Sequence, residues 1–240
     1  MTENIDYKVR YSKRAKYLKI AVTKAGVEVI VPNKIRVSAK TIQDFILEKK
    51  TWIMKNLEYF SKHGSEDLDI KDLLPEKINL LAIEKAYDIF YIPTVSKKIK
   101  LLTNQNLQIK LLGDLKSPIA CIKLLKAWLK QTANEYLLQL LKEISSETGL
   151  TYAKSCIRDN TTRWGSCSSE KSISLCCKLL FLPPNLARHV ILHELCHTKH
   201  MNHGVRFWRL LEKYDQNAKV HAAQLSKISQ DLPAWALKVL

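Results

Sequence analysis

The chain has 240 residues, 46% of them apolar, enough for one large domain or two small ones and for a core that needs no disulfide staples. No apolar run approaches the eighteen or more residues of a membrane helix, and the opening Met1-Thr2-Glu3-Asn4-Ile5-Asp6 lacks the basic-then-apolar layout of a signal peptide. Six cysteines without a regular framework or a Cys-x-x-Cys pair set aside a secreted disulfide scaffold and a zinc ribbon, and the expectation is a reduced, cytoplasmic, globular protein. The net charge is +16, and residues 1–63 alone hold 14 Lys and Arg against 6 Asp and Glu. Such a balance attracts nucleic acid, anionic membrane or acidic protein, but with no nucleic-acid motif visible a solvated basic surface that keeps the protein soluble is the preferred reading.

The first elements in chain order are β-rich runs at 7–11, 17–22 and 27–31, separated by Lys/Arg clusters and Lys24-Ala25-Gly26, which predict a small antiparallel meander. Ser38 precedes a helical pattern through Ile42, Phe45, Ile46, Ile53, Leu57 and Phe60 that ends near His63-Gly64, with Trp52 and Tyr59 as core members. Residues 64–78 are polar and acidic and read as a surface connection. Short β-rich runs at 87–92, 99–102 and 107–112 predict a second meander. Ser117-Pro118 then opens a long helix whose apolar series is Ile122, Leu125, Leu129, Tyr136, Leu140 and Ile144, running to Gly149. No internal repeat or low-complexity tract stands out.

Residues 150–183 carry the loop Arg163-Trp164-Gly165-Ser166-Cys167-Ser168-Ser169, flanked by Ile157 and the run 173–182 as strands. Cys167 is expected to be packing, and Arg163 and Trp164 are either substrate contacts or a guanidinium resting on an indole. Phe181-Leu182-Pro183-Pro184 reads as a strand end and helix start. The stretch 189–204 follows, holding five of the seven histidines.

Inside that stretch, His193-Glu194-Leu195-Cys196-His197 places two imidazoles four residues apart, on one face of a helix, as two ligands of one zinc ion require. Glu194 projects off that face, where a carboxylate reaches a water on the metal and suits a general base. Catalytic zinc takes three protein ligands and leaves the fourth position for water. His203 is the favoured third ligand, with the helix ending near Met201-Asn202 and Gly204 as its stop signal. His200 is the rival, but on a continuous helix it stands about 10 Å along the axis from His193. His189 and His200 are read as neighbours, as a partner that orients a ligand, or as a solvated face. Beyond Gly204, Phe207, Leu210, Leu211 and Tyr214 predict a helix packed behind the site, with Trp208 in the same packing. His221, Leu225 and Ile228 predict a further helix, and His221 alone is too weak a signal for a ligand.

Taken together, Arg163-Trp164-Gly165-Ser166-Cys167-Ser168, Ile173-Ser174-Leu175, His193-Glu194-Leu195-Cys196-His197, Asn202-His203 and Phe207-Trp208 resemble the YgjP-like metallopeptidases in order and approximate spacing. That family is similar, at greater distance, to SprT-like and WLM-type proteases. The resemblance covers most of the chain, and its specificity is concentrated in residues 158–208. It implies His193, His197 and His203 as zinc ligands, Glu194 as catalytic base, and a peptide or protein substrate. Two departures matter. Cys176-Cys177 stands where the family commonly has Asn after the Ile-Ser-Leu strand. The spacing from His197 to His203 equals that of the metzincins, but His200 replaces their glycine and no methionine turn follows, which excludes that label.

The expected architecture is α+β, with a basic strand-rich part at 1–115 and a zincin-like catalytic part at 116–240. The expected activity is zinc-dependent peptide hydrolysis. Its alternatives are a DNA-associated SprT-like protein working through its basic surface, and a metal-dependent hydrolase of a non-peptide amide.

Overall fold

The computed structural model describes residues 5–12, 15, 17–23, 26–33, 37–51, 53–54, 57, 74–228 and 232–237. The chain divides into two compact units, 1–68 and 69–240, so the boundary expected between 115 and 116 falls inside the second. Its architecture is α+β, with strands concentrated early and helices late. Among the described residues no helix is long and apolar enough to cross a membrane.

In the first unit β1 (Tyr7–Ser12), β2 (Lys19–Thr23) and β3 (Gly26–Pro32) form a sheet in the order β1-β3-β2. The expected meander is corrected here: β2 and β3 are antiparallel, but β1 runs parallel to β3, with Tyr7 opposite Val27 and Tyr11 opposite Val31. The physical reason is burial. Val27, Val29 and Val31 of β3 are all buried, so that strand takes the centre, while β1 exposes its four inner residues and suits an edge. Helix α1 (Ala39–Glu48) starts as expected, with Ser38 Oγ accepting the Thr41 N–H at 3.1 Å. Its Ile42 and Ile46 close a small core with Ile53 and the three valines. The expected continuation is helical at the described residues 50, 51, 53, 54 and 57, while Trp52, Tyr59, Phe60 and His63-Gly64 lie outside the described residues.

The second unit opens with β4 (Lys77–Leu80), β5 (Lys85–Pro93), β6 (Lys100–Thr103) and β7 (Gln108–Gly113), in the order β4-β5-β7-β6. Again the meander expectation fails, because β5 is parallel to β7 while β6 is antiparallel to it. Strand β4 reaches into the stretch read as a connection, since its Ile78 and Leu80 are buried against the same core. A third sheet, β8 (Lys154–Arg158), β9 (Gly165–Cys167) and β10 (Ser172–Cys176), has the order β8-β10-β9, with β8 parallel and β9 antiparallel to β10. One strand pattern therefore occurs three times: the last strand of a hairpin takes the middle, and the strand before the hairpin joins it in parallel. The recurrence lies in strand order and leaves no repeated sequence to detect.

Helix α2 (Pro118–Thr148) spans most of this unit, capped by Ser117 Oγ on the Ala120 N–H at 3.3 Å and ended by Gly149 at φ +70°, a conformation glycine adopts without strain. Its buried stripe starts as expected at Ile122, Leu125 and Leu129, then passes through Ala133, Leu137, Leu141 and Ile144. Tyr136 and Leu140 are only partly buried, because a 3.6-residue period drifts off any fixed three-or-four spacing over eight turns. Trp128 meets the Tyr87 ring edge-on at 5.0 Å, tying the helix to β5. A 3-10 turn (Cys177–Phe181) then leads into α3 (Pro184–His197), followed by α4 (Val205–Tyr214), α5 (Ala218–Ile228) and the short α6 (Ala234–Leu237).

Candidate metal centre

Helix α3 opens with Pro184 in its first turn and is buried nearly all round, by Leu186, Ala187, Val190, Ile191, Leu192, Leu195 and Cys196. A helix so placed can bury His189, Glu194 and His197 only if each has a partner or a task. The expected end near Met201-Asn202 is corrected: α3 stops at His197, where Thr198 Oγ1 turns back to the Leu195 carbonyl at 2.7 Å. Gly204 is not the stop but the residue before α4, whose carbonyl accepts the Trp208 N–H at 3.2 Å. The early stop lets the chain double back and carry His203 over the two helix histidines.

His193 Nε2 lies 3.1 Å from His197 Nε2 and 3.0 Å from His203 Nε2. Outside this triangle His197 Nδ1 donates to the His200 carbonyl at 3.0 Å, which puts its proton on Nδ1 and leaves Nε2 a bare lone pair aimed at the other rings. Phe207, fully buried on α4, packs behind all three imidazoles with ring centroids 4.9, 4.6 and 4.8 Å from His193, His197 and His203. Burial and the neighbouring imidazoles push the His193 pKa down to about 3, and burial lowers His197. A divalent cation at the point where the three Nε2 atoms converge would take all three as ligands, with each ring in its Nδ1–H tautomer. The donor set fits zinc. Of the two rivals for third position, His203 joins the cluster and His200 contributes its backbone carbonyl as the hydrogen-bond partner of His197.

Glu194 stands beside this triangle, 6% exposed, and its Oε2 is buried with no hydrogen-bond partner among the described residues. Desolvation raises its pKa to about 7 against a smaller opposing pull from the Arg163 guanidinium. A carboxyl poised there has the properties of a general acid–base. Space for it comes from Gly165 on β9, where an added Cβ would lie 2.7 Å from Glu194 Cγ and Oε1. That role was not visible in the sequence, although the residue sits within a conspicuous motif. Trp164, Gly165, His189, Val190, His193, Glu194, Ala222 and Leu225 line a cavity of about 230 Å³ beside the carboxyl. Cys167 is a partly buried free thiol, raised in pKa by burial and by Glu194.

Glu194 is raised in the folded chain from 4.5 to about 7, so its contribution to stability is complete below pH 4.5 and is lost as pH rises through 7. Metal-free Glu194→Gln is therefore expected to be more stable than the metal-free parent at pH 8, by about 3 kcal/mol, with the gap closing near pH 5. Thermal unfolding of both chelator-treated proteins checks this, and an equal gap at both pH values contradicts it.

The profile of a family described as YgjP-like, metallopeptidase domain, matches residues 16–228. The crystal structure of the metallopeptidase zymogen of Pyrococcus abyssi abylysin is similar at 24% identity and a TM-score of 0.36, over 39% of this chain and 95% of that one. That of Methanocaldococcus jannaschii jannalysin is similar at 23% identity and a TM-score of 0.34, over 40% of this chain and 97% of that one. No curated protein matches. Because the family match takes in nearly the whole chain, including the histidine triangle, Glu194 and the Gly165 strand, the chain belongs to the YgjP-like metallopeptidases.

Proposed function

We propose that the chain is a zinc peptidase in which His193, His197 and His203 hold the metal through Nε2 and Glu194 is the general base. The reading is supported above all by one observation: three imidazole nitrogens converge beside a buried carboxylate oxygen that has no hydrogen-bond partner among the described residues. A zinc ion bound there supplies the Lewis acid that lowers the pKa of a water and polarises the scissile carbonyl. Glu194 Oε2 takes the proton of the attacking water and returns it to the amide nitrogen as the C–N bond breaks. His200 holds His197 in the required tautomer through its carbonyl, and Phe207 fixes the three rings from behind. Among the described residues strand β9 pairs with β10 alone, so its other edge offers main-chain groups to an extended peptide next to Glu194, and the neighbouring cavity receives a side chain.

Elemental analysis of bound zinc in washed parent, His203→Ala and His200→Ala tests the ligand set. The expected result is that His203→Ala loses the metal held by the triangle and His200→Ala keeps it. Loss in His200→Ala with retention in His203→Ala would reverse the assignment. A peptide library then tests the substrate class, and cleavage of non-peptide amides alone would replace peptidase by amidohydrolase. The net charge of +16 supports a second reading, contact with nucleic acid through the basic surface. Duplex DNA binding that falls steeply with salt supports it, and no binding at low salt removes it.

A further inference from the structure

A second convergence of donor atoms joins three elements outside the histidine triangle. His189 lies on α3, Asp215 follows the last residue of α4, and His221 lies on α5. His189 Nδ1 is 2.5 Å and His221 Nδ1 2.9 Å from the same atom, Asp215 Oδ2, and one donor atom from each residue lies within 4.8 Å of the other two. The side chains are 1%, 9% and 14% exposed for His189, Asp215 and His221. The outer atoms are held as well. Asp215 Oδ1 accepts the Asn217 N–H at 3.1 Å, and His221 Nε2 faces Asn185 Nδ2 at 3.3 Å.

We propose that His189 Nδ1, Asp215 Oδ2 and His221 Nδ1 form a second divalent-cation site. Two ligands of one tetrahedral ion at bond lengths of about 2.0–2.2 Å stand about 3.4 Å apart, so a cation between the donors is accommodated once His189 Nδ1 and His221 Nδ1 draw back from Asp215 Oδ2, from 2.5 and 2.9 Å respectively. Two imidazoles and one carboxylate suit zinc, cobalt or nickel, whereas magnesium and calcium prefer all-oxygen cages. The Asp215 carboxylate is oriented before the ion arrives, because its far oxygen Oδ1 accepts the Asn217 N–H. The site clamps α5 to α3 and to the end of α4. Because Ala222 and Leu225 of α5 and His189 itself line the cavity beside Glu194, occupancy fixes that wall. The competing arrangement is a plain bridge in which both Nδ1–H groups donate to Asp215.

Zinc titration separates the two, and it does not depend on Glu194 chemistry. The metal-free full-length chain is titrated by calorimetry with zinc and by visible absorption with cobalt, as parent, His221→Ala, His203→Ala and the double variant, with circular dichroism to confirm folding. His221→Ala is a conservative choice, since the position is half-buried on a helix that favours Ala. Two equivalents in the parent, one in each single variant and none in the double variant are expected. One equivalent in the parent, kept in His221→Ala and lost in His203→Ala, overturns the second site and leaves the histidine triangle standing. Two equivalents that both survive His221→Ala overturn it too.

Discussion

Glu194→Gln is expected to keep the triangle's zinc and to lose about 10²- to 10⁴-fold in the hydrolysis rate of any peptide the parent cleaves. The amide has the shape of the carboxyl but cannot accept the proton, so ligand geometry is preserved while the acid–base step is lost. Burial makes the effect large. Glu194 is 6% exposed, with Oε2 lacking a hydrogen-bond partner among the described residues and a pKa raised to about 7, so bulk water offers no ready substitute at that position. The measurement is kcat alongside zinc content. Parent-like turnover in the variant would remove Glu194 from the mechanism, while zinc loss would mean that the carboxyl supports the ligands instead.

Gly165→Ala is expected to lower activity by about 10²-fold without removing zinc, through displacement of the Glu194 carboxyl. The added methyl would sit 2.7 Å from Cγ and Oε1, closer than real side chains approach, so either Glu194 or strand β9 must shift. Gly165 has no positive φ, which makes the requirement one of space alone. A double-variant cycle identifies the route: in the Glu194→Gln background the same alanine should cost little further activity, because the function it disturbs is already gone. Full activity in Gly165→Ala would show that the gap is not needed. Equal losses in both backgrounds would assign the effect to strand β9.

His193 and His197 were legible because helical spacing alone puts residues four apart on one face, and Glu194 was legible because its neighbour's position follows from the same helix. The caps at Ser38 and Ser117 and the stop at Gly149 were legible for the same reason: a helix end satisfies its own backbone groups with residues a few positions away. The parallel strand pairs were not. A run of alternating apolar residues reports one buried face and says nothing about which strand lies beside it, so three sheets with the last strand in the centre were read as meanders or loose pairs.

Local sequence by itself determined the α+β composition, the helix that carries the site, two of its histidines and the carboxyl beside them, since each depends on interactions within a turn or two of helix. Tertiary structure decided the rest. The stop of α3 at His197, which brings His203 rather than His200 into the triangle, depends on the chain folding back over Phe207. The role of Gly165 depends on β9 passing within van der Waals distance of Glu194, almost thirty residues later on another element. Asp215 gave no signal, because its partners His189 and His221 lie on two other helices and no sequence spacing links the three. Such contacts join residues remote along the chain, and their geometry exists only once the core has placed the helices that carry them.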